Sequence, residues 1–225
     1  MPDLAAELAQ ISLFAGLEPG ELAALAQHAF VRKLARGQIL FTEGEPSEHL
    51  FLVRSGRLRV FVASSRGEEL VLSVVGPGES LGELSVLDRQ PRSATVDALE
   101  PAELIALAGA DARQLLDTNQ QALHAVAVAL AAGMRRLSGT AADLVFLDLP
   151  RRLAKLLLAE AQAGADGTLV SQLAMSQTGV AARLGVTRQS LNRAMSTLVN
   201  RGWITLEGTT VRLDDAASLA KFAES

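Results

Sequence analysis

Two stretches of this chain bring residue types that do chemistry into close spacing. The first is Gly82-Glu83-Leu84-Ser85-Val86-Leu87, followed ten residues after Gly82 by Arg92-Ser93-Ala94-Thr95-Val96. Glycine lets the backbone turn sharply into a short helix whose unpaired amides face an anion. Arginine offers a phosphate two donors in a fixed fork, serine adds a hydroxyl, and a carboxylate accepts hydrogen bonds from sugar hydroxyls. Gly82, Glu83, Leu84, Arg92 and Ser93 are together equipped to hold a phosphorylated ribose. Gly-Glu-Leu alone is a common turn in which Glu83 would simply pair with Arg92, so the specificity lies in the whole constellation.

The second stretch runs from Ser176 to Arg193, Ser-Gln-Thr-Gly-Val-Ala-Ala-Arg-Leu-Gly-Val-Thr-Arg-Gln-Ser-Leu-Asn-Arg. It reads as two short helices meeting at Gly185, with Thr187 placed to cap the second. At about 100° per residue, Arg188, Gln189, Asn192, Arg193 and Ser196 share an arc of roughly 140°, and Leu191, Ala194, Met195 and Leu198 fall on the other side. Arginine, glutamine and asparagine make bidentate contacts to guanine and adenine edges, which suits the polar face to the major groove. That face carries no acid, unlike an ordinary surface helix. Trp203 to Leu206, Glu207-Gly208 and Thr209 to Leu213 then predict a hairpin, the wing of a winged helix-turn-helix.

Charge follows the same division. The 225-residue chain has a net charge of −4, yet residues 1–149 carry 19 acidic and 12 basic side chains, and residues 150–225 carry 6 and 9. No Asp or Glu occurs between Gly167 and Leu206, where Arg183, Arg188, Arg193 and Arg201 stand, so an acidic chain still offers phosphates a local positive surface. Apolar residues at 49% and charged residues at 20% place the chain outside the range of disorder. With no cysteine, disulfides, thiolate zinc, iron–sulfur clusters and a cysteine nucleophile are excluded. The longest apolar stretches fall short of a membrane span, and the N-terminus lacks the regions of a signal peptide, so the expectation is a cytoplasmic protein with no membrane partner. Neither a nucleophile–base pair nor a metal spacing is present, and an enzyme is not expected. His28, His49 and His124 are the only imidazoles a haem could use, and each reads as structural or solvated.

The elements that must position these residues are legible in outline. Glycines at 37, 44, 56, 67, 76, 78 and 82 separate short runs rich in Val, Leu and Phe over residues 36–107, the pattern of an all-β unit. His49 to Val53 leads through Ser55-Gly56 into a second strand, as a hairpin of a sandwich or jelly roll, in which Leu58, Val60 and Val62 form the buried face. Leu4 to Phe30 predicts two or three covering helices. Leucines recur every seven residues at 116, 123, 130, 137 and 144, with Val126 and Met134 between them, the seam of a dimerising helix or, alternatively, one face of a single amphipathic helix packed on its own domain. The first heptad lies near a break at Gln120. Pro150 suits the first turn of a new helix over Arg151 to Gln162, capped by Asp148 or Leu149, which makes Phe146 to Pro150 a hinge.

From about Leu13 to Val211 the chain resembles the cyclic-AMP receptor protein/FNR (Crp/Fnr) family of bacterial transcription regulators. The resemblance rests on Phe14-Ala15-Gly16-Leu17, Gly82-Glu83-Leu84, Arg92-Ser93-Ala94, Phe146-Leu147-Asp148 and the helix-turn-helix. It implies an α+β fold: an N-terminal β-roll (jelly-roll) cyclic-nucleotide-binding domain over 1–110, a long dimerisation helix over 111–147 and a C-terminal winged helix-turn-helix over 148–225. It further implies that Glu83 takes a ribose 2′-hydroxyl, and Arg92 with Ser93 the cyclic phosphate. The base-reading positions fall on Leu137 and Ser138, of which Leu137 has no hydroxyl. Where the family usually has Glu, accepting from cytosine, this chain has Gln189, and a different target sequence is expected. Implied partners are a second copy, double-stranded DNA with an inverted repeat, and RNA polymerase. No cofactor is required, and cAMP or another cyclic nucleotide is the implied effector. Haem or a gas, cyclic di-GMP, or constitutive activity without an effector stay open as alternatives.

Overall fold

The computed structural model describes residues 4–9, 14, 17–164, 168–172, 176–208 and 210–224. It divides into two compact units, residues 1–62 with 72–135 and residues 63–71 with 136–225.

The N-terminal half opens with helices α1 (Leu4–Leu8) and α2 (Pro19–His28), as the sequence predicts, although Phe30 opens a strand instead of ending a helix. Strands β1 (Phe30–Leu34), β2 (Ile39–Phe41), β3 (His49–Ser55), β4 (Leu58–Ala63), β5 (Glu69–Val75) and β6 (Ser80–Leu81) follow. Then come α3 (Glu83–Asp88), β7 (Thr95–Ala98), β8 (Ala102–Ala108), α4 (Gly109–Thr118) and α5 (Gln120–Phe146). The strands form two four-stranded sheets, in the orders β1-β8-β3-β6 and β2-β7-β4-β5. This is the expected β-roll.

Alternation explains why β3 and β8 are apolar on both faces. Phe51 and Val53 of β3, with Leu104 and Ala106 of β8, point between the sheets, where they meet Phe41, Leu58 and Val96. Their neighbours Leu50, Leu52, Ile105 and Leu107 point outward and are covered by Leu22 and Leu25 of α2, Val86 of α3, Leu115 of α4 and Val126 of α5. A continuous apolar run is what a strand buried on both faces requires.

Two expectations about β3 and β4 need correction. They do not pair as a hairpin, because they lie in different sheets; Gly56 turns the corner between them at φ +79°, where a Cβ would sit 2.5 Å from the Pro101 carbonyl oxygen. Leu58 and Val60 do face the interior, but Val62 is only half-buried, and Phe61 on the outer face is buried. The guanidinium of Arg59 lies 4.1 Å above the Phe61 ring, held by its bidentate pair with Asp97. A long charged side chain has covered an aromatic ring that alternation alone would leave in water.

The heptad reading is also modified. Leu116 belongs to α4, and Asn119 breaks the chain before α5, its Oδ1 accepting from the Gln121 and Ala122 amides at 3.0 Å. Val126 faces inward with Ala122, against the protein's own helices. Along the seam, Leu123, Ala127, Met134, Leu137, Ala141 and Leu144 remain outward on α5, with Leu130 half-buried, while Val128, Val145 and Phe146 are exposed off it. The seam positions recur at alternating steps of four and three, and Met134 is 72% exposed.

The C-terminal half contains α6 (Leu149–Ala159), β9 (Ala161–Ala163), β10 (Leu169–Gln172), α7 (Gln177–Arg183), α8 (Arg188–Asn200), β11 (Ile204–Glu207), β12 (Thr210–Leu213) and α9 (Ala216–Glu224). Asp148 caps α6, its Oδ1 accepting from the Arg151 amide at 3.1 Å. The helix ends at Ala159 rather than Gln162, which lies in β9. The wing is the outer edge of a four-stranded sheet, β11-β12-β10-β9, whose last two strands sequence reading missed. Helix α6 packs on α8 and α9, with Leu153, Leu157, Leu191, Leu198 and Leu219 wholly buried. Among the described residues no helix is long and apolar enough to cross a membrane.

Candidate functional sites

Gly82 is the pivot of the first site. It takes the left-handed conformation at φ +84° before α3, and a Cβ there would lie 2.1 Å from Arg92 Nη1. Glycine is therefore required twice, for its dihedral and for the space Arg92 fills. Arg92 itself is only 4% exposed. Its Nη2 donates to the His49 carbonyl at 2.6 Å and its Nη1 to the Gly82 carbonyl at 3.2 Å. Its backbone is pinned as well, the amide donating to the Glu45 carbonyl at 2.9 Å and the carbonyl accepting from the Gly44 amide at 2.8 Å. The planar group lies 4.2 Å above the ring of Phe41. Its Nε is buried without a partner. Burial lowers the guanidinium from its ordinary value, opposed by the charges of Glu83 and Glu45; an arginine still stays charged.

Glu83 makes no hydrogen bond to Arg92, whose Nη1 and Nη2 each donate to a main-chain carbonyl. Its side chain lines a small, otherwise apolar cavity with Phe14, Leu50, Val86, Leu115, Leu116 and Val126, and its Oε2 is buried without a hydrogen-bond partner. Burial raises the carboxyl above its ordinary value, against the opposing pull of a backbone hydrogen bond and of the Arg92 charge. An orphaned carboxylate oxygen of this kind is one that exchanges readily for a hydroxyl partner. Ser93 and Leu84 are exposed beside the cassette, and Leu137 and Ser138 lie exposed further along α5. Thus Gly82, Glu83 and Arg92 are brought together as the sequence predicts. Phe41 and the His49 carbonyl, the groups that fix Arg92, were missed, because neither belongs to a contiguous motif.

The second site is a face of α8. Ser176 caps α7 through its Oγ, which accepts from the Gly179 amide at 3.3 Å, and Gly185 turns at φ +65°. Thr187 caps α8, its Oγ1 accepting from the Ser190 amide at 3.2 Å. Thr187, Arg188, Gln189, Asn192, Arg193 and Ser196 are all exposed, and Leu191, Ala194, Met195 and Leu198 all buried. Arg188 is steadied by its Nε donating to Gln177 Oε1 at 3.2 Å. The expected basic surface is narrower than the sequence suggests. Arg183 is paired with Glu160 at 2.7 Å, and Arg201 stacks on Trp203 and Phe222 at 4.8 and 4.6 Å. Arg201, the C-cap of α8, stays exposed and charged, so Arg188 and Arg193 are the cations on the polar face of α8 and Arg201 lies beyond its end. Thr209, which the sequence reading gives to the hairpin, lies outside the described residues.

Among the described residues no cluster of three or more His, Asp or Glu side chains is placed for a metal ion. His28 pairs with Asp111 at 2.9 Å, and His49 packs edge-on against Phe30 at 5.4 Å.

The burial of Glu83 makes a pH prediction. Because its value in the folded protein is raised, the protonated form is the favoured one: there is no cost below the ordinary carboxylate range near about 4.3, and stability is lost as pH rises through the raised value. Glu83→Gln keeps the shape without the charge. Its melting temperature should match wild type near pH 4.5 and exceed it by a few degrees at pH 7.5, about 2–4 °C for each kcal/mol in a chain of this size. Melting curves that coincide at every pH would contradict this account of the cavity.

Comparison with known proteins covers both sites. The cyclic nucleotide-binding domain matches residues 31–119, and the Crp-like helix-turn-helix domain matches residues 151–222. The chain is 32% identical over 219 residues to the CRP-like cAMP-activated global transcriptional regulator of Mycobacterium tuberculosis, covering 96% of this chain and 98% of that one. It is 34% identical over 212 residues to the cyclic AMP receptor protein of Thermus thermophilus, covering 94% and 96%. In fold it is similar to the c-di-GMP responsive global regulator CLP of Xanthomonas campestris, with a TM-score of 0.78 and 22% identity over 88% of this chain and 100% of that one. Two domain matches in the order of the two sites, and relatives similar along nearly their whole length, place the chain in the Crp/Fnr family of DNA-binding transcription regulators.

Proposed function

We propose that this chain is a homodimeric regulator whose grip on DNA is gated by a cyclic nucleotide held at Gly82, Glu83, Arg92 and Ser93. The observation that carries the reading is the pinned Arg92, a buried cation with an unpartnered Nε beside a carboxyl whose Oε2 also lacks a partner. A phosphate answers the first and a ribose hydroxyl the second. Two relatives named for cyclic AMP support the ligand class.

Gating runs through α5. Glu83 and Val86 share a cavity with Leu115 and Leu116 of α4 and Val126 of α5, so turning the Glu83 carboxyl out toward a ribose changes the packing beneath α5. The outward seam of Leu123, Met134, Leu137 and Leu144 is the dimer surface, since a soluble chain does not leave such a stripe in water without a partner. Beyond it, Asp148 and Pro150 form the hinge into the DNA-binding half, with Asp143 of α5 paired to Lys155 of α6 at 2.6 Å. The domains are then 1–110, 111–147 and 148–225. Arg188, Gln189, Asn192 and Arg193 meet an inverted repeat in the major groove, with Thr187 on phosphate. Such a regulator works in the cytoplasm, with RNA polymerase as its further partner. A second reading, in which the effector is another nucleotide, rests on Leu137: a leucine cannot hydrogen-bond a purine amino group, and the fold alone also serves a c-di-GMP responsive regulator.

Calorimetry with cyclic AMP and cyclic GMP tests the effector site: Arg92→Ala should lose about 2–5 kcal/mol of binding, the cost of removing one member of a desolvated charge pair, and unchanged affinity would reject the assignment. Met134→Glu sets two carboxylates against each other across a two-fold axis; sedimentation should report monomer, and a persistent dimer would move the interface off this seam. For the DNA half, sequences selected from a random pool by wild type and by Gln189→Glu should differ at one symmetric pair of positions, with about 1–3 kcal/mol at stake per half-site. Identical motifs from the two proteins would remove Gln189 from base reading.

A further inference from the structure

We infer that Phe41 is a positioning residue for effector recognition: its ring is the shelf that fixes the Arg92 guanidinium in the one orientation that leaves its Nε edge for an anion. The inference rests on the reading of Arg92 as the phosphate-binding residue. Phe41 ends β2, is buried, and stacks on Phe51 of β3 at 5.9 Å. The Arg92 guanidinium carbon lies 4.2 Å from the Phe41 centroid and 5.7 Å from that of Phe51. The two Nη atoms are clamped by the carbonyls of His49 and Gly82, and one face rests on the ring. An arginine has more donors than two carbonyls take up, and the buried Nε is left without a partner. A cation over an aromatic face is attracted to it electrostatically, and more strongly once water is excluded. Phe41 also packs between the sheets with Val53, Leu58 and Leu104, a role that any large apolar side chain could fill; only the contact with Arg92 calls for a π face.

Nuclear magnetic resonance of the free protein, selectively labelled at arginine, tests the shelf directly. Wild type should show one Nε–H resonance shifted upfield by the ring and protected from exchange, identified by its absence in Arg92→Gln. In Phe41→Met, which keeps the volume and removes the π face, it should move to the position of exposed arginines and exchange at least tenfold faster; in Phe41→Tyr it should stay. Cyclic AMP affinity should fall by about three- to thirty-fold in Phe41→Met, stay within about two-fold in Phe41→Tyr, and not fall further when Phe41→Met is added to Arg92→Gln. An unmoved resonance in Phe41→Met, or an equal affinity loss in both backgrounds, would overturn the inference. If wild type binds no cyclic nucleotide, the effector reading fails by itself, and the resonance comparison still decides whether Phe41 holds Arg92. Should Phe41→Met not fold, Phe41→Leu serves the same comparison.

Discussion

A guanidinium taken out of water must be compensated from every side, and the N-terminal half of this protein is arranged around that requirement. Arg92, 4% exposed, finds two carbonyls and an aromatic face in place of water. Each compensating group constrains something else. The Gly82 carbonyl comes close enough only because residue 82 has no Cβ, the His49 carbonyl fixes where β3 begins, and Phe41 fixes the end of β2. The loop at Gly44 and Glu45 is tied to the Arg92 backbone. Leaving a buried charge with half its partners costs several kcal/mol. The short segment from Gly82 to Arg92 is thus held by the same contacts that prepare it for a ligand.

The DNA-binding half solves the opposite problem, keeping its arginines at the surface and orienting them. Arg183 is half-buried and paired with Glu160, and Arg201 is exposed but laid against the Trp203 and Phe222 rings. Arg188 and Arg193 stay exposed on a helix whose other face is apolar. These contacts fix two of the four arginines off the α8 face and leave Arg188 and Arg193 on it, and a narrow face carries orientation as well as attraction. Phosphate attraction alone would favour any DNA; base edges distinguish sequences only if the helix that presents them is fixed. Thr187, Ser176 and the Gly185 turn fix this one.

Legibility in the sequence followed the range of the interactions. The cap at Thr187, the cap placed at Asp148 or Leu149, the turn glycines and the two faces of α8 are local, governed by residues within a few positions, and their place was readable; the cap at Ser176 is as local but was not read. The apolar run of β3 was readable as buried, but whether Val126 served a partner or its own domain was not, since both readings need an apolar residue on α5. Phe61 looked exposed because alternation does not register that Arg59 lies over it. Strands β9 and β10 were missed because Ala161 to Ala163 has neither β-branched nor aromatic residues and is a strand only through its pairing with β10. The cassette of Gly82, Glu83 and Arg92 was legible as a motif; its arrangement, with Glu83 beside Val126 of α5 and Arg92 on main-chain carbonyls, depends on residues up to 43 positions away.

That arrangement bears on how much switching the ligand can drive. Moving a two-state equilibrium from 1:99 to 99:1 takes about 5.5 kcal/mol of differential affinity. A desolvated charge pair supplies about 2–5 kcal/mol when formed against none, and at Arg92 it would form at the Nε edge that the two carbonyls leave without a partner. One such pair falls short. In a dimer both sites act on one equilibrium, and each adds the relief of an orphaned Glu83 oxygen, about 1–3 kcal/mol for a satisfied buried acceptor. Each site then supplies about 3–8 kcal/mol, so one site meets the requirement only in the upper part of that range and two exceed it over all of it. On the proposed reading, two such sites joined across α5 would sum on one equilibrium, and that summation would make the response steeper than one site gives.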